Sequence, residues 1–545
     1  MDADTAIAGA SAPESEQPVA PASVIAPGHG DHVAAAVDTT PFETPFDFLF
    51  EDLADDFPAK HLPNTDPATV VAKLRALGAA MVEAGPPTTP NSNTPAVYTY
   101  WGQFVDHDLT ANTDRDGSVS NITSLNPQPL PPEEVREGLK NLRQPALNLD
   151  SLYGPGSVRD GDIKMAVGTV AEQNNNGSIP PGAHVPPLGD AKRDLPRQNM
   201  QAQLGDARND ENLIIAQLHT AFLRFHNVAA DWVEARHPDW RRKSIWVRAK
   251  RLTQWHYQWL TVNDFLREIT TPGVVDSVML GDREHSLRRD GKVFMPLEFS
   301  IAAYRFGHSM VRGAYDFNRN FGTDPGAITR ASFDLLFAFT GGGKFNAPQP
   351  DDGSHPDVLP FNWVIEWDRF VDHASDNPIH FARKIDTLLA GPLHDMRNQG
   401  NEQPPGPVQQ LLKNLAMRNL VRGYVLAMPT GQAVAEALEV EPLTHAELTS
   451  GDPGIAQALT DGAFLDATPL WFYVLKEAEV RANGNSLGEV GSRIVAETLI
   501  GQLLADPDSY LQRGSGWTPM FGAVLPDGEP IVTIADLFRF AGLAA

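Results

Sequence analysis

From Glu211 to Ala235 apolar residues return every three or four positions, at Leu213, Ile214, Leu218, Phe222 and Phe225, a stripe that only a long amphipathic helix turns to one side. The same spacing runs from Ser244 to Glu268 through Ile245, Leu252, Trp255, Trp259 and Phe265, and recurs over 299–311, 408–428, 470–481 and 491–504. Strand-like alternation is scarce, so the sequence predicts a mostly α-helical fold. Stretches rich in Pro, Gly and Asn over 174–190, 341–357 and 398–407 read as surface loops, and no internal repeat is present. Residues 1–40 lack Phe, Trp and Tyr and are rich in Ala, Pro, Ser and Gly, which predicts a disordered tail ahead of one large domain over 41–545.

Composition narrows the chemistry. A net charge of −26, with the acids dispersed, argues for solubility and against a nucleic-acid partner, whose phosphates would be repelled. The chain has no cysteine, which removes disulfides, thiolate metal sites and thiolate-ligated haem; of oligomeric states it excludes only a disulfide-linked dimer. No apolar run reaches the roughly 18 residues that span a bilayer, and the start lacks a secretory signal. The expectation is a soluble protein that, if exported, uses no N-terminal signal.

One segment concentrates reactive side chains. Tyr98-Thr-Tyr-Trp-Gly-Gln-Phe-Val-Asp-His-Asp-Leu-Thr110 sets Gln103 and His107 four apart on one helix face, while Asp106 and Asp108 point away on either side. Alone, such a histidine is an ordinary core or surface residue. Further along, Arg208 and Glu211 stand three apart at the start of the long helix, Arg305 and His308 share a face with Gly307 between them, and Asn419 and Arg422 are again three apart. Two histidines on separate helices, with an amide, arginines and carboxylates around them, suit an iron ligated by one imidazole and faced by the other.

The motifs WGQFVDHDLT, ALNLDSLYG, GDARNDEN followed by LHTAFLRFHN, YRFGH and RNLVRG, in that order, resemble the peroxidase–cyclooxygenase superfamily. These are the mammalian-type haem peroxidases that include myeloperoxidase and lactoperoxidase, and bacterial members resemble this chain most. The resemblance runs from Pro41 to the C-terminus and implies the haem peroxidase fold. It further implies that His107 is the distal histidine, Gln103 the distal glutamine and Arg208 the distal arginine. His308 is then the proximal ligand of a haem b iron, and Asn419 accepts its Nδ1 hydrogen bond. Asp106 and Glu211 match carboxylates that form ester bonds to haem, and Arg305 and Arg422 match the partners of its propionates. In this reading a neutral His107 takes a proton from hydrogen peroxide and returns it to the departing oxygen, while Arg208 stabilises the developing charge. An amide behind His308 keeps the iron potential high, which favours oxidation of halides, thiocyanate or small aromatic donors.

The resemblance also implies calcium, bound by Asp108, the Ala146 carbonyl, Asn148 and Asp150, although Gln144 and Asn148 replace the family's threonine and aspartate and weaken the set. Asn212 stands where myeloperoxidase has the methionine of its sulfonium link, which argues for bromide or iodide over chloride. The alternative within the superfamily is a fatty-acid dioxygenase, whose tyrosine lies three residues before the proximal histidine. Here Arg305 holds that place and Tyr304 is one residue removed, about 100° away on an α-helix. A non-catalytic haem-fold adhesion protein is the alternative from another class. His219, His226 and His256 read as packed core residues, Gly341 to Gly343 as a loop, and Asn112 to Gly117, with Thr123 where a glutamate is needed, as an incomplete EF-hand pattern.

Overall fold

The structure is a computed structural model describing residues 44–83, 85, 90–111, 122–123, 127–171, 190–281, 285–340, 358–396, 399–401, 403–514 and 516–545. The expected tail, Gly341 to Gly343 and Asn112 to Gly117 lie outside the described residues. Eight helices carry or surround the site: α1 (Pro67–Ala80), α2 (Val97–Leu109), α3 (Leu213–Arg236), α4 (Arg242–Leu260), α5 (Gly307–Met310), α6 (Leu415–Val425), α7 (Leu470–Arg481) and α8 (Glu489–Ala505). The β structure described is limited to short pairings. The main one sets β1 (Thr44–Asp47) between β2 (Lys140–Asn141), antiparallel through Thr44 and Asn141, and β3 (Met295–Pro296), parallel through Phe46 and Met295.

The apolar stripe of α3 meets α2 and α4 in a fully buried aromatic centre. Phe104 stacks on Phe222 at 4.7 Å between centroids, and Tyr257 of α4 stands edge-on to Phe222 at 5.5 Å. Each aromatic side chain buries a large apolar area and adds about 1 kcal/mol through ring geometry, so α2 has little freedom to rotate. The Trp101 indole donates to Thr261 at 3.3 Å, fixing α2 to the end of α4. There the predicted 244–268 helix widens without ending: Thr261–Phe265 is a π turn that leads into a further α turn over Leu266–Ile269, and Thr261 Oγ1 donates back to the Tyr257 carbonyl at 2.8 Å.

Two other predicted helices are broken. The 408–428 stretch divides at Asn414, whose side chain accepts from Met417 N and so starts α6 afresh. The 299–311 stretch is a π turn over Glu298–Ala302, a 3₁₀ turn over Ala303–Phe306 and then α5. Its apolar spacing suits a helix of average pitch, and pitch is what the local winding alters.

Gly205 joins two motifs distant in sequence. A Cβ there would stand 2.4 Å from the Asp150 carbonyl oxygen, and its N–H donates to Ser151 at 2.9 Å. Only glycine permits this approach. It presses the 144–154 loop against 205–212.

Candidate active site

Helix α2 delivers Gln103, Asp106 and His107 to a narrow cavity, which Glu211, Tyr304, Arg305, Gly307 and His308 also line. Both histidines therefore border one space. Where a Cβ would extend from Gly307 there is nothing within 4 Å, so the wall beside His308 is recessed. Arg208, Asn419 and Arg422 are buried behind the lining residues.

The tautomer of His107 follows from its neighbours. His107 Nδ1 lies 2.7 Å from Asn209 Oδ1, and Asn209 Nδ2 lies 3.0 Å from His219 Nδ1. Burial lowers the His219 pKa to about 3, so that ring is neutral and its Nδ1 accepts from the amide. The Asn209 oxygen then faces His107 and accepts from Nδ1–H, which leaves Nε2 with its lone pair. His107 Nε2 is 3.9 Å from Glu211 Oε1. His219 is a packed core residue as expected, and it also orients the amide that orients His107.

Glu211 is placed differently from the expectation. It lies outside the long helix, between a 3₁₀ turn over Ala207–Asp210 and Asn212, the N-cap of α3, whose Oδ1 accepts from Ile215 N at 3.0 Å. Gln103 Nε2 donates to the Glu211 carboxyl, and Gln103 Oε1 accepts from Asn212 Nδ2 at 3.3 Å. Burial pushes the Glu211 pKa up to about 8, against the opposing pull of the Arg208 guanidinium. Asp106 is held by Thr110 Oγ1, which donates to Oδ1 at 2.8 Å.

Arg208, expected to face the reacting oxygen, is anchored away from the cavity. Its Nη2 donates to the His107 carbonyl at 2.9 Å and to Asp206 Oδ2 at 2.6 Å. Burial opposes ionisation of Asp206, but Arg143 and Arg208 outweigh it and hold the carboxyl far below its usual range. A carboxylate two residues before the arginine captures the guanidinium.

On the other side Asn419 Nδ2 lies 2.9 Å from His308 Nδ1, while Arg305 Nη1 donates to Asn419 Oδ1 at 3.3 Å. This reverses the expected acceptor role of Asn419. A guanidinium only donates, so it claims the amide oxygen and turns the nitrogen to the ring. A metal-ligating Nε2 needs Nδ1 protonated, which a half-turn of the amide supplies once Arg305 has another acceptor. Arg305 Nε also donates to the Ser300 carbonyl at 3.0 Å. Arg422 sits one turn beyond Asn419 on α6. Tyr304 corrects a second expectation. An offset of 100° holds only on an α-helix, but Tyr304 lies in the 3₁₀ turn, lines the cavity with His308, and its buried hydroxyl lacks a hydrogen-bond partner.

The residues expected on calcium converge, but their oxygens are engaged. Asp108 accepts the backbone N–H groups of Leu149 and Asp150, each at 3.1 Å. Asp150 accepts from Arg143 Nη1 at 3.1 Å, Asn148 Oδ1 from Asp150 N at 3.0 Å, and the Asn148 carbonyl from Gln254 at 2.6 Å. Ala146 is buried beside them. Among the described residues no group of three or more His, Cys, Asp or Glu side chains is arranged to hold a metal ion. As arranged, these oxygens are taken by protein donors, and the Arg143 guanidinium pairs with Asp150 and Asp206. Asp206, Asn209 and Arg143 were not singled out from sequence. The first two lie inside the quoted GDARNDEN motif, so the signal was present without its geometry.

The family model of animal haem peroxidases matches residues 148–335, which include Arg208, Glu211, Arg305 and His308 but neither His107 nor Asn419. A peroxidase-like protein of Margaritifera margaritifera is 25% identical over 49% of this chain and 38% of its own length. Peroxinectin A of Dictyostelium discoideum is 25% identical over 64% of this chain and 56% of its own. The chain thus spans little more than half of these relatives at most. Among solved structures, peroxidase A of Dictyostelium discoideum superposes with a TM-score of 0.53 at 18% identity, over 87% of this chain and 89% of that one. A fatty acid alpha-dioxygenase of Oryza sativa gives 0.52 at 14% identity, over 86% of this chain and 75% of that one. At these identities the likeness is one of fold.

Proposed function

Because the chain belongs to the animal haem peroxidase family, we propose that residues 41–545 form a haem-dependent peroxidase that uses hydrogen peroxide to oxidise bromide, iodide or thiocyanate, or small aromatic donors. The observation that carries this reading is the fixed tautomer of His107 in a cavity that His308 also lines. The two imidazoles, the recessed wall at Gly307 and the neighbouring arginines fit a flat anionic macrocycle with a central metal.

Haem b would be held by His308 Nε2, with Arg305 and Arg422 for its propionates and Asp106 and Glu211 for ester links. The chemistry a bound haem supplies is acceptance of two oxidising equivalents from peroxide and their return to a donor. This chain's own part is proton handling. His107 Nε2 accepts a proton from hydrogen peroxide, and the imidazolium returns it to the oxygen that leaves as water. Asn209 steadies the imidazolium by accepting its Nδ1–H. With bromide the balance is bromide, hydrogen peroxide and one proton in, hypobromous acid and water out. Gln103 and Glu211 border the same space and limit the room for a donor. No step uses calcium.

The test is peroxide-dependent bromide oxidation by haem-loaded protein, compared with His107→Ala. Loss of turnover by about 10²-fold or more, with haem still bound, is the expected result. Equal turnover in the two proteins overturns the reading.

A second reading rests on Tyr304. Its unpartnered hydroxyl in the cavity wall suits a fatty-acid dioxygenase. Oxygen uptake with a long-chain fatty acid, abolished in Tyr304→Phe, would favour that reading over peroxidase.

A further inference from the structure

In a chain of net charge −26, one stretch inverts the sign. Residues 236–251 hold Arg236, Arg241, Arg242, Lys243, Arg248, Lys250 and Arg251 against a single acid, Asp239. They form the end of α3, a turn and the first half of α4. Ile245, Ala249 and Leu252 bury the inner face of α4, which leaves Lys243, Val247 and Arg251, four apart, on its outer face. Val247 is 44% exposed, and Trp240, in the turn before α4 and stacked on His237 at 4.0 Å, is 41% exposed.

The cations are held by aromatic rings more than by acids. Arg236 lies over Trp232 at 3.7 Å, Arg159 over Trp246 at 4.0 Å and Lys250 over Tyr153 at 4.8 Å. A ring fixes a cation in place without neutralising it. Arg242 is the exception, paired with Glu234. Burial, and then the neighbouring Arg251 and Arg159, lower the pKa values of Arg248 and Lys250 respectively, as expected where positive charge is crowded. Lys164 beside them is paired with Asp231.

We propose that this face docks the protein on an anionic lipid bilayer, with Arg241, Lys243 and Arg251 at the headgroup charges and Trp240 and Val247 in the interfacial layer. Interleaved exposed apolar and basic side chains suit a bilayer surface, whereas a soluble polyanion uses only the basic ones. The acidic remainder of the molecule does not forbid contact, because charges beyond about 10 Å are screened at physiological salt. Among the described residues no helix is long and apolar enough to cross a membrane, so the contact is peripheral. The proposal is independent of the peroxidase reading.

Co-sedimentation of the full chain with phosphatidylcholine vesicles, with and without phosphatidylglycerol, tests it. Binding only to the phosphatidylglycerol vesicles is expected, weakening as salt rises. An Arg241→Glu/Lys243→Glu variant should bind at least about tenfold more weakly, since each basic residue near such a surface contributes roughly a factor of five. Trp240→Ala should also weaken binding, and Lys60→Glu should leave it unchanged. Absence of vesicle binding at low salt overturns the proposal, as does undiminished binding of the double variant. Retention on heparin or nucleic acid without vesicle binding overturns it in favour of a polyanion.

Discussion

His107 Nδ1 and Asn209 Oδ1 lie 2.7 Å apart, and that contact decides which ring nitrogen carries the proton. Asn209→Leu removes it and frees the ring to adopt either tautomer. Stopped-flow measurement of peroxide consumption by haem-loaded protein should show a loss of about 10- to 100-fold, part of what general acid–base catalysis contributes. Asn209→Asp, which accepts the same proton, should retain most of the rate. An unchanged rate in Asn209→Leu would mean that another contact orients His107.

Arg143 lies among the Asp150 and Asp206 carboxylates, its side chain 5% exposed. Arg143→Ala leaves Asp150 without its guanidinium and Asp206 with that of Arg208 alone, and urea unfolding should show a loss of about 3–5 kcal/mol. In the unaltered protein a calcium chelator should leave Tm unchanged, and metal analysis should find far less than one calcium per chain. A drop in Tm on chelation would restore calcium to this site.

Asn212 caps α3 by accepting from Ile215 N, and it donates to Gln103. Asn212→Met should cost about 1 kcal/mol by urea unfolding of the haem-free protein, with Asn212→Ser closer to the original. No loss in the methionine variant would show that the cap contributes nothing.

Glu298 accepts the N–H groups of Leu49 and Phe50 at 2.7 and 3.3 Å, and burial raises its pKa from 4.5 to about 7. Below pH 4.5 the carboxyl is protonated in both the folded and unfolded states. As pH rises through 7 the unfolded chain gives up the proton first, so the folded state loses about 3 kcal/mol at roughly 1.4 kcal/mol per unit. Glu298→Gln should flatten the fall in Tm between pH 5 and 8. A parallel fall in both proteins refutes the assignment.

Much of the helical frame and the cast of the site could be read from the sequence. The 470–481 helix appears with those bounds, α8 runs one or two residues longer at each end than its prediction, and α3 begins two residues later than its own. Gln103, Asp106, His107, Glu211, Arg305 and His308 meet on one cavity. What the sequence hid was competition for donors. Spacing could place Arg208 near His107, but not show that Asp206 holds its guanidinium or that Arg305 turns the Asn419 amide. The Arg305 choice depends on a partner brought from far along the chain, and the Asp206 choice on how a local turn folds. Tyr304 was out of reach of sequence spacing because the angle per residue differs in π and 3₁₀ turns from that of an α-helix.

Those two windings carry a consequence for how this protein can vary. The loose turn over Glu298–Ala302 and the tight one over Ala303–Phe306 together set the angle at which His308 leaves the backbone. Exchanging one apolar side chain there disturbs packing locally. Deleting or inserting a single residue rotates everything after it by roughly 100–120°, carrying the imidazole off the cavity wall. The segment should therefore accept changes of spelling far more readily than changes of length.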